Sequence, residues 1–349
     1  MTCLVMYAPA NDYKVFTIPE SVTEIYTRAF AYAQLDTVIL HDGLKIWYEA
    51  FWHSNIEYIT IPGSCELGSY LFHNSTNLKS VILGEGITEI PYAVFNNCQS
   101  LTSIVIPSTV KSIGDYAFSG CYTLIDVDLP DGLESIGYGA FMSAGLVSIT
   151  LPKSLSYIGY QAFDCCYSLL VVNNKSGLDI VKGDQNSNGG VAYHARKLNA
   201  DQSEYTITVT DNGLVFYADR DVVVLLDFIG CEGDTLILPE NFDGRGYYIM
   251  QNAFGSNDTL GYVQWGNEIL TWDDPAFHYG QAIKTLVIPA SVTEIGDYAF
   301  EGWANIETIY YGGSSEQWEN LFNRSPNPLD PESIPMNDEL INATVHFTK

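Results

Sequence analysis

LTSIVIPSTVKSIGDYAF, Leu101 to Phe118, is the stretch whose reading decides the fold. Leu101, Ile104 and Ile106 are apolar at spacings of three and two. Pro107 ends that run, Val110 and Ile113 follow, and Gly114 precedes the Ala117-Phe118 pair. Nearly the same line returns as LIDVDLPDGLESIGYGAF (Leu124 to Phe141), LVSITLPKSLSYIGYQAF (Leu146 to Phe163) and IKTLVIPASVTEIGDYAF (Ile283 to Phe300). The phenylalanine keeps time. It falls at Phe30, Phe51, Phe72, Phe95, Phe118, Phe141 and Phe163, then after a long gap at Phe254, Phe277 and Phe300. An internal repeat near 23 residues sets the architecture before any other signal is weighed.

In L-x-x-I-x-I the last two apolar positions alternate, as in a strand with one buried face. The proline stops the strand because it has no N–H for a ladder. The V-x-x-I pair makes a second buried segment, and the Ala-Phe end is expected to pack on a short helical turn. No single coil can bury these side chains alone, whereas stacked coils bury them in continuous ladders. The expected fold is a leucine-rich-repeat-like, right-handed α/β-β repeat solenoid with short strands per coil, a central irregular insertion and a C-terminal cap.

The repeat resembles that of the BspA-like, or Treponema-type, leucine-rich-repeat family, which reads roughly C-x-x-L-x-x-I-x-I-P-x-x-V-x-x-I-G-x-x-A-F. CQSLTSIVIPSTVKSIGDYAF (Cys98 to Phe118) and CYTLIDVDLPDGLESIGYGAF (Cys121 to Phe141) match it closely. The resemblance covers most of the chain, and the matching residues are core residues. It therefore implies the fold closely and the function loosely. Members of that family are associated with adhesion to host extracellular-matrix proteins and with coaggregation between bacteria.

Charge excludes whole classes of partner. The 349 residues carry 15 basic and 42 acidic groups, a formal net charge of −27. Such a surface argues against nucleic acid and against anionic membranes. No apolar run approaches the ~20 residues that cross a bilayer, so no membrane insertion is expected. MTCLVMYAPANDY lacks a charged n-region and an apolar h-region, and the chain is expected to be a piece of a longer precursor. Its signal and anchor would then lie outside this sequence, and its expected place is the cell surface or the secreted fraction.

Taken in order, residues 1–20 are a lead-in with Tyr7, Tyr13 and Phe16. Residues 21–172 are N-terminal coils, with strand cores such as Leu35-Val38-Leu40 and Leu124-Val127-Leu129. The pattern stops at Asn173. Residues 173–249 are polar, without a core phenylalanine at the expected step, and read as an irregular ordered insertion. TITV is a strand there, and LVFYADRDVVVLLDFIG is a hairpin around Asp219-Arg220-Asp221. Coils are expected again over 250–311, and 312–349 is a cap. In the cap, Ser314 with Gln317 fits a capping box and ATVHF is a closing strand.

No constellation for catalysis emerges. The six histidines show no H-E-x-x-H and no metal-ligand spacing, and three of them (His53, His73, His278) sit at coil turns just after the phenylalanine. There is no G-x-S-x-G elbow and no dinucleotide fingerprint, and GDQNSNGG (Gly183 to Gly190) lacks the lysine and helix of a phosphate cradle. The seven cysteines are an odd number. Cys98, Cys121 and Cys166 follow the phenylalanine by three, a mostly small-residue slot filled elsewhere by Ala33, Ser54, Ser75, Ala144, Gly280 and Trp303, so buried ladder thiols are expected. No cofactor and no metal is expected.

What remains is surface. On each longer strand the residues between the buried ones face outward. The candidate binding face is Tyr58, Thr60, Ser80, Ser103, Asp126, Asp128, Ser148 and Thr150, then Tyr262, Gln264 and Tyr310. Residue by residue, good strand propensity explains such types. As a whole the face reads as a contact surface, since solenoid sheets make extended binding faces. The expected protein is a non-enzymatic, monomeric bacterial repeat protein whose ligand is a host matrix protein or a bacterial surface protein. A carbohydrate-binding module, with exposed tyrosines and the tryptophans Trp47, Trp52, Trp265, Trp272 and Trp303 as stacking platforms, is the second reading. An enzyme with its site in 173–249 is the third.

Overall fold

The computed structural model describes residues 2–7, 14–228, 235–250, 253, 283–295, 299–300, 305–321, 340 and 343–347. Two compact units divide the chain, Met1–Ala200 and Asp201–Lys349.

In the first unit the chain winds as a parallel β-solenoid. The longer strands Val15–Thr17, Thr37–Ile39, Tyr58–Ile61, Ser80–Leu83 and Ser103–Val105 lie side by side in one parallel sheet. The second segments of the coils, from Val22–Ile25 to Tyr157–Ile158, pair in two further parallel sheets. Parallel neighbours need a long connection, and here the rest of the coil supplies it. The proline corner between the two segments is a tight turn. The carbonyls of Pro19, Pro62, Pro107, Pro130 and Pro152 each accept from the amide three residues on. Gly159 ends one of the later second segments because neighbouring backbones meet there. A Cβ at that position would lie 2.5 Å from the backbone of Gly137.

The seven rings from Phe30 to Phe163 form one stack through the interior. Neighbouring centroids are 5.0–5.6 Å apart with interplanar angles of 7–16°. Tyr7, stacked on Phe30 at 5.4 Å, and Phe16 close its N-terminal end. Each buried ring is worth about 1.5–3 kcal/mol of transfer free energy, with roughly 0.5–1.5 more per ring pair.

The Ala-Phe end is not the helical turn that the sequence suggests. Each ring is bracketed by two residues in the left-handed region. Two positions before it stand Arg28, Glu49, Tyr70, Ala93, Tyr116, Gly139 and Gln161, with φ of 52–58°. Two positions after it stand Tyr32, His53, Asn74, Asn97, Gly120, Ser143 and Cys165, with φ of 51–72°. A non-glycine residue in this region loses about 1–2 kcal/mol. Hydrogen bonds to the next coil offset that loss. The amide of Phe118 donates to Ala140 O at 2.7 Å and that of Phe141 to Ala162 O at 2.8 Å. One slot further on, Cys98, Cys121 and Cys166 donate their thiols to the carbonyls of Phe72, Phe95 and Phe141 at 3.2, 3.2 and 2.9 Å. Ser75 does the same to Phe51 O at 2.8 Å. A small donor fits that slot, which is why cysteine and serine alternate there with alanine.

The strand expected over Leu124-Val127-Leu129 does not form. Leu124 and Val127 stay buried, but the sheet resumes only with Ser148–Leu151, Val171–Asn174 and Lys197–Leu198. Asp126 and Asp128 are both exposed there, two residues apart. Aspartate is a poor strand former, and like charges on one face oppose each other. Lys197–Leu198 pairs parallel with Val171–Val172, so one coil beyond Phe163 winds through residues 173–198.

In the second unit, Tyr205–Val209, Leu214–Asp219 and Val223–Phe228 pair antiparallel. The buried Asp219 turns the second hairpin by accepting from the amides of Asp221 and Val222 at 2.8 and 2.9 Å. Parallel winding then returns. Thr235–Ile237, Thr285–Ile288, Thr308–Tyr311 and Thr344–Phe347 are successive neighbours in one sheet. The helix Ser315–Leu321 starts on a reciprocal box. Ser314 N–H donates to Gln317 Oε1 at 2.9 Å, and Gln317 N–H donates to Ser314 Oγ at 3.3 Å.

Candidate binding face

Alternation along a strand turns every second side chain outward. Parallel registration of the coils then lines those side chains up. Thr37, Tyr58, Ser80 and Ser103 make one column. Thr60, Ile82 and Val105 make the next. The first column is largely hydroxylic, and Ser103 Oγ donates to Ser80 Oγ at 2.9 Å. The second is mostly apolar and open to solvent. Ile82 is 46% and Val105 56% exposed, beside Ile39 at 48% and Tyr58 at 50%. Ion pairs border the columns where the chain enters the strands, Lys14 to Asp36 at 3.1 Å and Lys79 to Glu57 at 3.0 Å. Exposed pairs of this kind hold about 0–1 kcal/mol each and dress the rim rather than the fold.

The face then changes sign. Although Asp126 meets solvent, part of its carboxylate surroundings is protein, and this loss of water raises its pKa above the usual carboxylate value. Asp128 adds a second, smaller push in the same direction. Ser148 and Thr150 lie beyond it, half-buried on the next sheet. The structure therefore gathers Tyr58, Thr60, Ser80 and Ser103 in one sheet of the first unit. It places Asp126 and Asp128 in the gap and Ser148 and Thr150 after the gap. Tyr310 belongs to the second unit, where it stacks on His346 at 5.2 Å. Tyr262 and Gln264 lie outside the described residues.

A second surface escaped the sequence reading. Tyr48, Tyr70, Tyr92, Tyr116, Tyr138 and Tyr160 form a ladder along the turn edge, with centroids 5.0–6.1 Å apart. Burial raises the pKa of Tyr92 and of Tyr116, and hydrogen bonds to Tyr70 and Tyr138 add to it. A hydrogen bond to Glu49 leads the causes that lift Tyr48 to about 12. The available signal was a tyrosine two or three residues before the phenylalanine in six successive coils. It was hidden because the offset varies between two and three residues and keeps no fixed place in the repeat. At the N-terminal end of this edge, Arg28 pairs with the buried Glu49 and lies 4.5 Å over the Trp52 ring.

Among the described residues no group of three or more His, Cys, Asp or Glu is placed to hold a metal ion. No helix among them is long and apolar enough to cross a membrane. The described cysteines carry no disulfide.

The profile described as a BspA type leucine rich repeat region matches this chain in six copies, over residues 7–125, 88–185 and 227–327. No curated protein matches it. Among solved structures it is similar to a leucine-rich repeat protein from Bacteroides ovatus, 18% identical, covering 96% of this chain and 84% of the other at a TM-score of 0.42. The T. pallidum leucine rich repeat protein is 25% identical over 42% of this chain and 71% of its own, TM-score 0.37. A leucine rich cell surface protein from Faecalibacterium prausnitzii is 18% identical over 89% and 91%, TM-score 0.33. These scores lie below 0.5, so the family assignment rests on the repeat itself.

Proposed function

The chain belongs to the BspA-type leucine-rich-repeat family, and on that premise we propose that it is a non-enzymatic bacterial protein, secreted or held at the cell surface, that binds a protein ligand with the outward face of its first sheet. The observation that carries this reading is the column of Ile82 and Val105 beside Ile39 and Tyr58, each about half exposed. Folding does not require large apolar side chains on a solvated face, and clustered ones mark contact surfaces. The hydroxyl column beside them offers hydrogen bonds, and the Asp126–Asp128 gap favours a ligand with a basic patch. A host matrix protein or another bacterial surface protein is the class of ligand.

Binding of the purified chain to immobilised matrix and bacterial surface proteins, at low and high salt, tests the proposal. Saturable binding that weakens with salt and with D126N/D128N, and that falls at least about tenfold in Tyr58→Ala/Val105→Ser, is the expected result. Binding indifferent to all four positions would remove the sheet face from the account.

A further inference from the structure

A cavity of about 150 Å³ opens on the first unit, away from the outward columns. It lies at the turn edge where the ring stack ends, lined in part by Phe163. In each earlier coil the phenylalanine amide donates to the residue just before the next phenylalanine, as Phe141 does to Ala162 O. The Phe163 amide donates instead to Gly189 O at 2.9 Å. Gly189 therefore stands in the alanine slot and Gly190 in the phenylalanine slot, and no ring continues the stack. A Cβ on Gly189 would lie 2.6 Å from Gly159 O, and both glycines have left-handed φ, 62° and 73°. The preceding loop is pinned by Asp184, whose carboxylate accepts from the Asn186 and Ser187 amides at 2.8 and 3.3 Å.

The walls combine two kinds of surface. Tyr160 and Tyr193, 60% and 41% exposed, offer aromatic rings. Asp164, Gln161, Gln185 and Asn186 offer a carboxylate and three amides. Asp164 is fixed in place, accepting from Gln161 Nε2 at 3.1 Å and from the Cys165 amide at 3.2 Å, while Gln161 accepts from the Tyr138 hydroxyl. Each carboxylate oxygen keeps a free lone pair. The side-chain amides of Gln185 and Asn186 make no hydrogen bond among the described residues. Planar acceptors and donors beside aromatic rings suit a ligand that alternates hydroxyls with C–H faces. No lysine, arginine or histidine lines the cavity, and with a net charge of −27 an anionic ligand is disfavoured. The volume is below the ~300 Å³ at which drug-sized pockets begin and suits one small ring. A glycosidase needs a pair of carboxylates; Asp164 is the one carboxylate on these walls. We propose that this cavity is a saccharide-binding site that holds one neutral sugar unit at the end of a glycan.

The test is saturation-transfer NMR and calorimetry of the full chain against neutral mono- and oligosaccharides, with sialylated oligosaccharides alongside. The expected result is saturable binding of a neutral sugar, weakened about tenfold or more by Tyr193→Ala and by Gln185→Ala, and unchanged in Tyr58→Ala. Both cavity residues are exposed, and equal thermal melts establish that these variants fold. Three results would overturn the proposal: no saturable binding of any neutral sugar, binding that survives both cavity variants, or a preference for the sialylated ligands. Because Tyr58→Ala addresses only the sheet face, loss of one surface is distinguishable from loss of the other.

Discussion

From Phe30 to Phe163 the interior of the first unit places the same ring in seven successive coils, while the outward column of the same coils runs Thr37, Tyr58, Ser80, Ser103. The two sets share one backbone and one register. They differ in what lies above and below. An interior ring meets a copy of itself on either side, so its shape is fixed by its neighbours. An outward side chain meets solvent, and its identity is left to whatever the surface contacts. Repetition therefore reports stability, and departure from repetition reports use.

The largest effect expected from this contrast separates ring from face. Phe95 sits between Phe72 at 5.6 Å and Phe118 at 5.4 Å, and Phe95→Ala should lower the unfolding free energy by about 3–5 kcal/mol. Tyr58→Ala should change it by less than about 0.5 kcal/mol. Urea denaturation of the two variants decides the matter, and similar losses would abolish the distinction.

The contrast can be sharpened with pH. His73 follows its phenylalanine into the packed edge, and burial, then the nearby His53, depress its pKa to about 4. Between pH 6.5 and 4 the unfolded chain takes up a proton that the folded chain refuses. Stability should therefore fall as pH drops through that window, by roughly 2–3 kcal/mol at its lower end. Denaturation midpoints from pH 7.5 to 4.5 should decline less steeply in His73→Asn than in the wild type. Parallel declines would place this histidine with the solvated residues.

The smallest effect tests the corners. Ser143 holds φ of 56° in the slot where the neighbouring coil has Gly120. Ser143→Gly should stabilise by about 0.5–1 kcal/mol, read as a higher urea midpoint, because glycine occupies that region without strain. A destabilised variant would mean that the hydroxyl, and not the backbone, decides this corner.

The ladder was legible because its signal is a spacing: the phenylalanine clock, the proline corner and the small slot at Cys98, Cys121 and Cys166 all name buried positions. The gap at Asp126–Asp128 was not, since LIDVDL satisfies the apolar pattern and what opposes pairing is a pair of poor strand formers of like charge on the open side. The left-handed corners were nearly silent: Gly139, Asn74, Asn97 and Gly120 carry a positive-φ signal, but Arg, Glu, Tyr, Ala, Gln, Ser and Cys stand at most of the other corners and do not. The face residues could be named one by one, but which of them share a column depends on register, and Tyr310 turns out to lie in the other compact unit. The cavity at Gly189-Gly190 was hidden for a further reason. Its mark is a missing phenylalanine, and an absence in a repeat reads as an ending rather than as a place.

The thiols of Cys98, Cys121 and Cys166 are fully enclosed, their hydrogens are given to carbonyls, and burial pushes their pKa upward. A thiol reagent attacks the thiolate and needs access to it, so these sulfurs react only when their own coil opens. Spaced along the solenoid, they form a built-in set of unlabelled reporters. Peptide mapping of alkylation against time would read out coil by coil where the winding first comes undone.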